Sequence, residues 1–430
     1  MEASTHSTRS AQLDARGCAV SGASSTALEA FERALALSQS WRSGADAALA
    51  PALREAPAFV MAHVLQAYLQ LCSRDPVRVE SARPILQRAS SLPANERERM
   101  HLAAIGAVLA DDFDGARQLL ADLLQHYPHD VLALQVGHMF DYAIGDVEQL
   151  TERVAAVLPA WSSALPGYHA VLSMRAFGLV ESGEYAGAEQ AAGAALELNP
   201  FDARAQHVMA HVFEMSEQPA AGVRWMGRHS AAWSDATVVA THCWWHVALF
   251  HLAQGNADMA LRIYDQRIRA GNSGAIADLI DASALLWRVH LQHADAGKRW
   301  AELAAAWAPH IDDRFCSFND LHAMLAFVGA GDRDRAHRLE SVLSGCQSRQ
   351  SRHGAMTRML GLPACRALIA FGRGDDTLAL TLLAALPAQA HRLGGSHAQR
   401  DVLHLTMLQT VERLRRPHRN IARKLAAAVA

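Results

Sequence analysis

No stretch of the 430 residues holds eighteen consecutive apolar positions, so a membrane-crossing helix is not expected. No segment alternates apolar and polar residues over the length of a strand. Val and Ile are modest beside Ala and Leu, the best helix formers, which points to an all-α chain. The six cysteines, Cys18, Cys72, Cys243, Cys316, Cys346 and Cys365, are scattered with no CxxC among them. That is free-thiol usage and fits a reducing cytoplasm. An excess of positive charge is missing too: the net charge is −3, which argues against a nucleic-acid partner. The first 24 residues lack the apolar core of a secretory signal and read as a flexible leader, leaving 25–430 as one domain.

What the chain does have is an internal repeat. The clearest unit is "GEYAGAEQAAGAALELNP", residues 183–200, with Gly183 and Tyr185 at a turn, Ala188 and Ala195 on the following helix and Pro200 at its end. Ala188 lets two helices approach closely, Tyr185 fills the wedge between hairpins, and Pro200 stops the helix. This is the second half of a tetratricopeptide (TPR) unit. The grammar recurs in "DDFDGARQLLADLLQHYP", in "GNADMALRIYDQRI" from Gly255, in "GDRDRAHRLESVL" from Gly331 and in "GDDTLALTLLAAL" from Gly374. With Ala116, Ala188, Gly222, Ala260, Ala336 and Ala379 as equivalent points, hairpins begin near 97, 169, 203, 241, 317 and 360. Less regular units fall near 131 and 278, for about nine hairpins in a TPR-like α-solenoid.

With the repeats laid out, the chain resembles the tetratricopeptide repeat protein 38 family. The agreeing stretches include "PAFVMAHVLQAYLQL", "ERERMHLAAIGAVLADDFDGA", "HVMAHVFEM", "HCWWHVALFHLAQGNADMALRIYDQRI", "FNDLHAMLA" and "RLGGSHAQRDVL", in order along residues 26–425. The resemblance implies a fold; it brings no reaction or partner with it.

Histidine, at 23 copies, is over-represented, and its placement is uneven. In a TPR hairpin the first helix lines the concave face. His207, His211 and Glu214 fall on one face of the first helix from 203, and His242 and His246 repeat the i, i+4 spacing on the next. The hairpins are offset by 38 residues and the His pairs by 35, which keeps the pairs near one face but about a turn apart along the axis. Adjacent packed helices lie roughly 8–10 Å apart, so imidazoles from both can converge. Three or four His with a nearby carboxylate form a ligand set for a divalent metal, Zn, Fe or Mn. His322 and Asp320, within "FNDLH", would add to it from the far side, with Glu214 or Asp320 as ligand or general base. Taken singly, each His is more often a hydrogen-bonded core or groove residue than a ligand, and an HxxxH pair alone is a weak signal.

Other residues complete a candidate pocket. His101 and His138 also fall on first helices, and Trp225, Trp233, Trp244 and Trp245 flank the cluster as hairpin packing or as a stacking surface. Asp281 and Arg288, seven apart, share a helix face as pocket residues or as a structural ion pair. In "GGSHAQRD", Arg400 and Asp401 read as a turn with an Arg–Asp pair, or as a contribution to the groove. The substrate pocket is thus expected from His138, Trp245, Asp281, Arg288 and Arg400. No Ser-His-Asp or Cys-His order suggests covalent catalysis. Two functions follow: a metal-dependent, hydrolase-type enzyme acting on a small molecule, or a TPR scaffold holding a peptide in its groove. A homodimer is compatible with either.

Overall fold

The computed structural model describes residues 12–429, with side chains through residue 415. Among these, consecutive helices pack as ten pairs. The first five are Ser25–Gln39 with Ala45–Glu55, Val60–Leu71 with Pro76–Ser90, Glu96–Leu109 with Phe113–His126, Val131–Ile144 with Val147–Val157, and Tyr168–Glu181 with Tyr185–Leu198. The second five are Ala203–Met215 with Pro219–Arg228, Ala240–Ala253 with Ala257–Ile263, Ile276–Leu291 with Arg299–Trp307, Ser317–Gly329 with Arg333–Cys346, and Leu362–Arg373 with Asp376–Leu383. A long helix, Val402–Val429, follows. The tenth pair, one more than expected, comes from the opening 25–90, which holds two complete pairs.

The turns explain why the helices break where they do. Gly145, Gly255, Gly331 and Gly374 adopt φ between +67° and +77°, which ends the first helix. The next residue, Asp146, Asn256, Asp332 or Asp375, then caps the second helix by accepting a backbone N–H with its side chain. The small residues of the repeat, Ala116, Ala188, Gly222, Ala260, Ala336 and Ala379, all lie buried on second helices. There the packing leaves room for little more than a hydrogen or a methyl.

First and second helices differ in burial. Second helices bury one stripe: Phe113–His126 buries Ala116, Leu120, Leu123 and Leu124. Several first helices are buried nearly all round, although Ser25–Gln39 buries only one stripe. Ser317–Gly329 exposes little beyond its last two residues, and Ile276–Leu291 is buried from Leu279 through Val289. Such a helix has protein on both sides. The chain accordingly closes on itself. Asn319 donates to the Arg74 carbonyl at 2.9 Å, the Arg352 N–H to Asp111 at 2.7 Å, and the Arg42 guanidinium to the Ala232 carbonyl at 3.1 Å.

The expected flexible leader, 1–24, needs correction in part. Residues 1–11 lie outside the described residues. Residues 12–24 are folded, with Gln12–Leu13 pairing antiparallel with Ala19–Val20. Asp14 accepts from the backbone of Arg16 and Cys18, and Arg16 pairs with Glu32 at 2.7 Å. The segment is anchored largely by buried ionic groups, which a search for apolar patterning passes over.

Gly222 shows how tight the pairs are: an added Cβ would lie 2.5 Å from the Phe250 ring, whereas at Gly193 it would meet nothing within 4 Å. Gly222→Ala should therefore lower stability by about 1–3 kcal/mol, and Gly193→Ala should raise it by about 0.5–1 kcal/mol. Thermal denaturation of the two variants checks the sign of each.

Candidate metal centre

The helix Ala203–Met215 starts at Asp202, whose side chain accepts the Ala205 N–H at 3.1 Å, and this fixes the register of His207 and His211 one turn apart. The neighbouring first helix, Ala240–Ala253, packs directly on it and carries His242 and His246. The four rings converge. Centroids of His207 and His242 stand 4.9 Å apart and those of His211 and His246 4.4 Å apart. One nitrogen of each ring lies within 4.8 Å of one from every other, so the four can hold a metal ion. His207 Nε2 and His211 Nε2 are 2.9 Å apart. Two neutral rings can share one N–H at that separation, which also suits one edge of a coordination sphere. Nitrogens ~2.1 Å from an ion stand about 3.0 Å apart at a right angle and about 3.4 Å apart in a tetrahedron.

Two carboxylates decide which nitrogens face inward. His246 donates from Nδ1 to Glu214 at 2.6 Å, and His242 donates from Nδ1 to both oxygens of Asp281 at 2.9 Å. Gln399 Nε2 donates to the same Asp281 carboxylate at 3.1 Å. The Nε2 atoms of His242 and His246 are thereby left for a metal, and His246 Nε2 is buried without a partner. Burial, reinforced by the neighbouring imidazoles, holds His207, His211 and His246 well below the usual histidine range, so these rings are neutral. That is the form with a lone pair to give. Burial raises Glu214 above the usual carboxylate range.

Trp245 forms one wall, stacked on His242 at 5.1 Å with 15° between the rings. The Arg288 guanidinium lies over Trp245 at 5.5 Å. Phe177 stacks on His207 and meets His211 edge-on, at 6.1 and 5.8 Å. Beside the cluster lies a cavity of about 760 Å³ whose lining includes Glu214, Arg288, Phe213, Phe250 and Leu291. Glu214 therefore touches both the histidines and the open space.

Several expected site residues stand elsewhere or act differently. Glu214 bonds the outer nitrogen of His246, so in this arrangement it is an orienting group rather than a metal ligand. His322 is outside the four-histidine group: its Nδ1 donates to the Phe318 carbonyl at 2.7 Å. Asp320 accepts from His353 at 2.8 Å and is likewise outside the four-histidine group. His138 donates to the Met174 carbonyl at 3.1 Å and reaches the site only through Phe177. His101 belongs to a separate buried group with Asp130 and Tyr68. Asp281 and Arg288 form no ion pair with each other; Asp281 serves His242, while Arg288 donates to the carbonyls of Ala284 and Ala398. Arg400 pairs with Glu181 at 3.3 Å and not with Asp401. The anion held at the glycine-opened turn is that same Glu181 carboxylate, which accepts the His397 N–H.

Sequence reasoning passed over Gln399 and Phe177, and it read the Gly394–Asp401 stretch mainly as a turn, where its backbone and Gln399 reach the site. A Cβ on Gly394 would strike the Ala143 carbonyl at 2.2 Å, and one on Gly395 would strike the Phe318 ring at 2.4 Å. The double glycine was the available signal: it marks a chain threading through closed space, not an exposed turn.

Burial pushes His138 down to about 3 and His322 down to about 4. The unfolded chain takes up these protons near pH 6.5 and the native state does not. Their contribution to stability is therefore complete above about pH 6.5 and is lost progressively as pH falls towards 4. Metal-free protein should lose about 2 kcal/mol per site between pH 7 and 5. Denaturant titrations at the two pH values should show a smaller loss for His138→Gln than for the parent.

Compared with models of known protein families, the chain matches none.

Proposed function

We propose that the chain is a TPR-like solenoid of the tetratricopeptide repeat protein 38 kind whose closed interior holds one divalent metal and uses it to hydrolyse a small molecule. The observation that carries this is the four histidines brought to one point with Asp281 and Glu214 on two of their outer nitrogens. An all-imidazole set suits Zn or Fe better than Mn, which prefers oxygen donors. The two outer carboxylates balance the 2+ charge without entering the coordination sphere. Metal-bound water has a lowered pKa and supplies a nucleophile near neutral pH. Glu214, raised by burial and facing the cavity, suits the orientation of His246. The repeating small residues and Gly–Asx turns support the solenoid.

The alternative is a scaffold that binds a peptide. It needs an open concave groove, and the first helices Ile276–Leu291 and Ser317–Gly329 are covered on both faces.

Protein loaded with Zn(II) and dialysed should retain one equivalent by elemental analysis and hydrolyse an activated ester such as p-nitrophenyl acetate. His211→Ala and His246→Ala should abolish both properties; His229→Ala and His251→Ala should keep both. Glu214→Gln should lower metal affinity or turnover about 10–100-fold. A parent protein with no stoichiometric metal would return the scaffold to first place. Tight metal binding without turnover, with the intense cobalt(II) spectrum of a closed tetrahedron, would make the site structural.

A further inference from the structure

Arg204 lies on the helix Ala203–Met215, three residues before His207, and is 1% exposed. All three guanidinium nitrogens are buried with no hydrogen-bond partner among the described residues. A buried, unpaired charge costs several kcal/mol, so this position calls for an acceptor. Asp202, two residues away, is occupied elsewhere: it accepts from His169 at 2.7 Å and from the Ala205 N–H at 3.1 Å.

A second donor stands beside it. His207 Nδ1 is buried without a partner. A ring that binds a metal through Nε2 carries its proton on Nδ1, so there the unpartnered atom is an N–H. Trp41 joins the two groups: the Arg204 guanidinium lies over its ring at 4.8 Å, and His207 packs on it at 5.5 Å. At His242 and His246 the equivalent outer nitrogens are taken by the carboxylates of Asp281 and Glu214. At His207 no described residue supplies one.

We infer that Arg204 and His207 Nδ1 form the anchor for a ligand carboxylate, seated against Trp41 in the outer position that Asp281 and Glu214 fill at His242 and His246. The metal role of His207 rests on the function proposed above; the Arg204 anchor stands without it. A carboxylate is favoured over phosphate by charge: the Asp202 carboxylate already acts on the guanidinium, so one added negative charge is better tolerated than the roughly two that phosphate brings. Cys72 stands near the guanidinium and feels its charge, and burial pushes its thiol up to about 12. Burial also brings Arg204 down to about 10, which a bound carboxylate would reverse.

The test uses acetate, inorganic phosphate and chloride at matched ionic strength, on metal-free and Zn-loaded protein, read by thermal shift and calorimetry. Acetate should raise the melting temperature saturably in both forms, more in the loaded form, and Arg204→Met should weaken its binding by at least about tenfold. Without acetate, Arg204→Met should melt at or above the parent temperature, because it removes an unpaired charge and keeps the volume. Acetate binding that survives Arg204→Met, a variant that melts well below the parent without ligand, or no saturable acetate effect would each overturn the anchor. A response to phosphate alone would overturn the carboxylate. If the protein binds no metal, the Arg204 dependence in the metal-free form still decides the inference, separately from the proposed function.

Discussion

Two hydrogen bonds, from His242 to Asp281 and from His246 to Glu214, set which face of these two rings looks inward, and the candidate metal centre depends on that orientation. An imidazole has two nitrogens and can present only one to an ion; the partner of the other makes the choice. Asp281 is itself fixed by Gln399, and Gln399 comes from the Gly394–Arg400 segment that fills the interior. Closure of the chain and construction of the site are therefore linked. The strap that buries the first helices also holds a carboxylate that aims a histidine.

Closure also accounts for the electrostatics. With the interior covered, His207, His211 and His246 stay neutral, and Glu214 is raised. Four rings packed at centroid separations of 4.4–6.3 Å between neighbouring helices suit a cation and poorly suit one another's protonated forms. The same enclosure makes the unpaired Arg204 conspicuous, since water cannot freely satisfy it.

The repeat was legible because its signals are local. Small residues, Gly–Asx turns and helix periodicity placed first helices near 97, 169, 203, 241 and 317, and they begin at Glu96, Tyr168, Ala203, Ala240 and Ser317. The four-histidine cluster was legible because two i, i+4 pairs fell on consecutive first helices, and the three-residue register difference was small enough for the rings to meet. The Arg400–Asp401 pair was misread for a reason also present in the sequence: adjacent residues on a helix do not share a face. Gln399 was not readable at all, because its partner Asp281 is 118 positions away and only closure of the chain joins them.

The central claim, that one ion is held by four histidine Nε2 atoms, is tested most directly by X-ray absorption at the metal edge of the loaded protein. The account predicts four nitrogen neighbours near 2.0–2.1 Å with the multiple-scattering pattern of imidazole, any further neighbour being a light water oxygen. A shell dominated by carboxylate oxygen, or fewer than three imidazoles per ion, would contradict it.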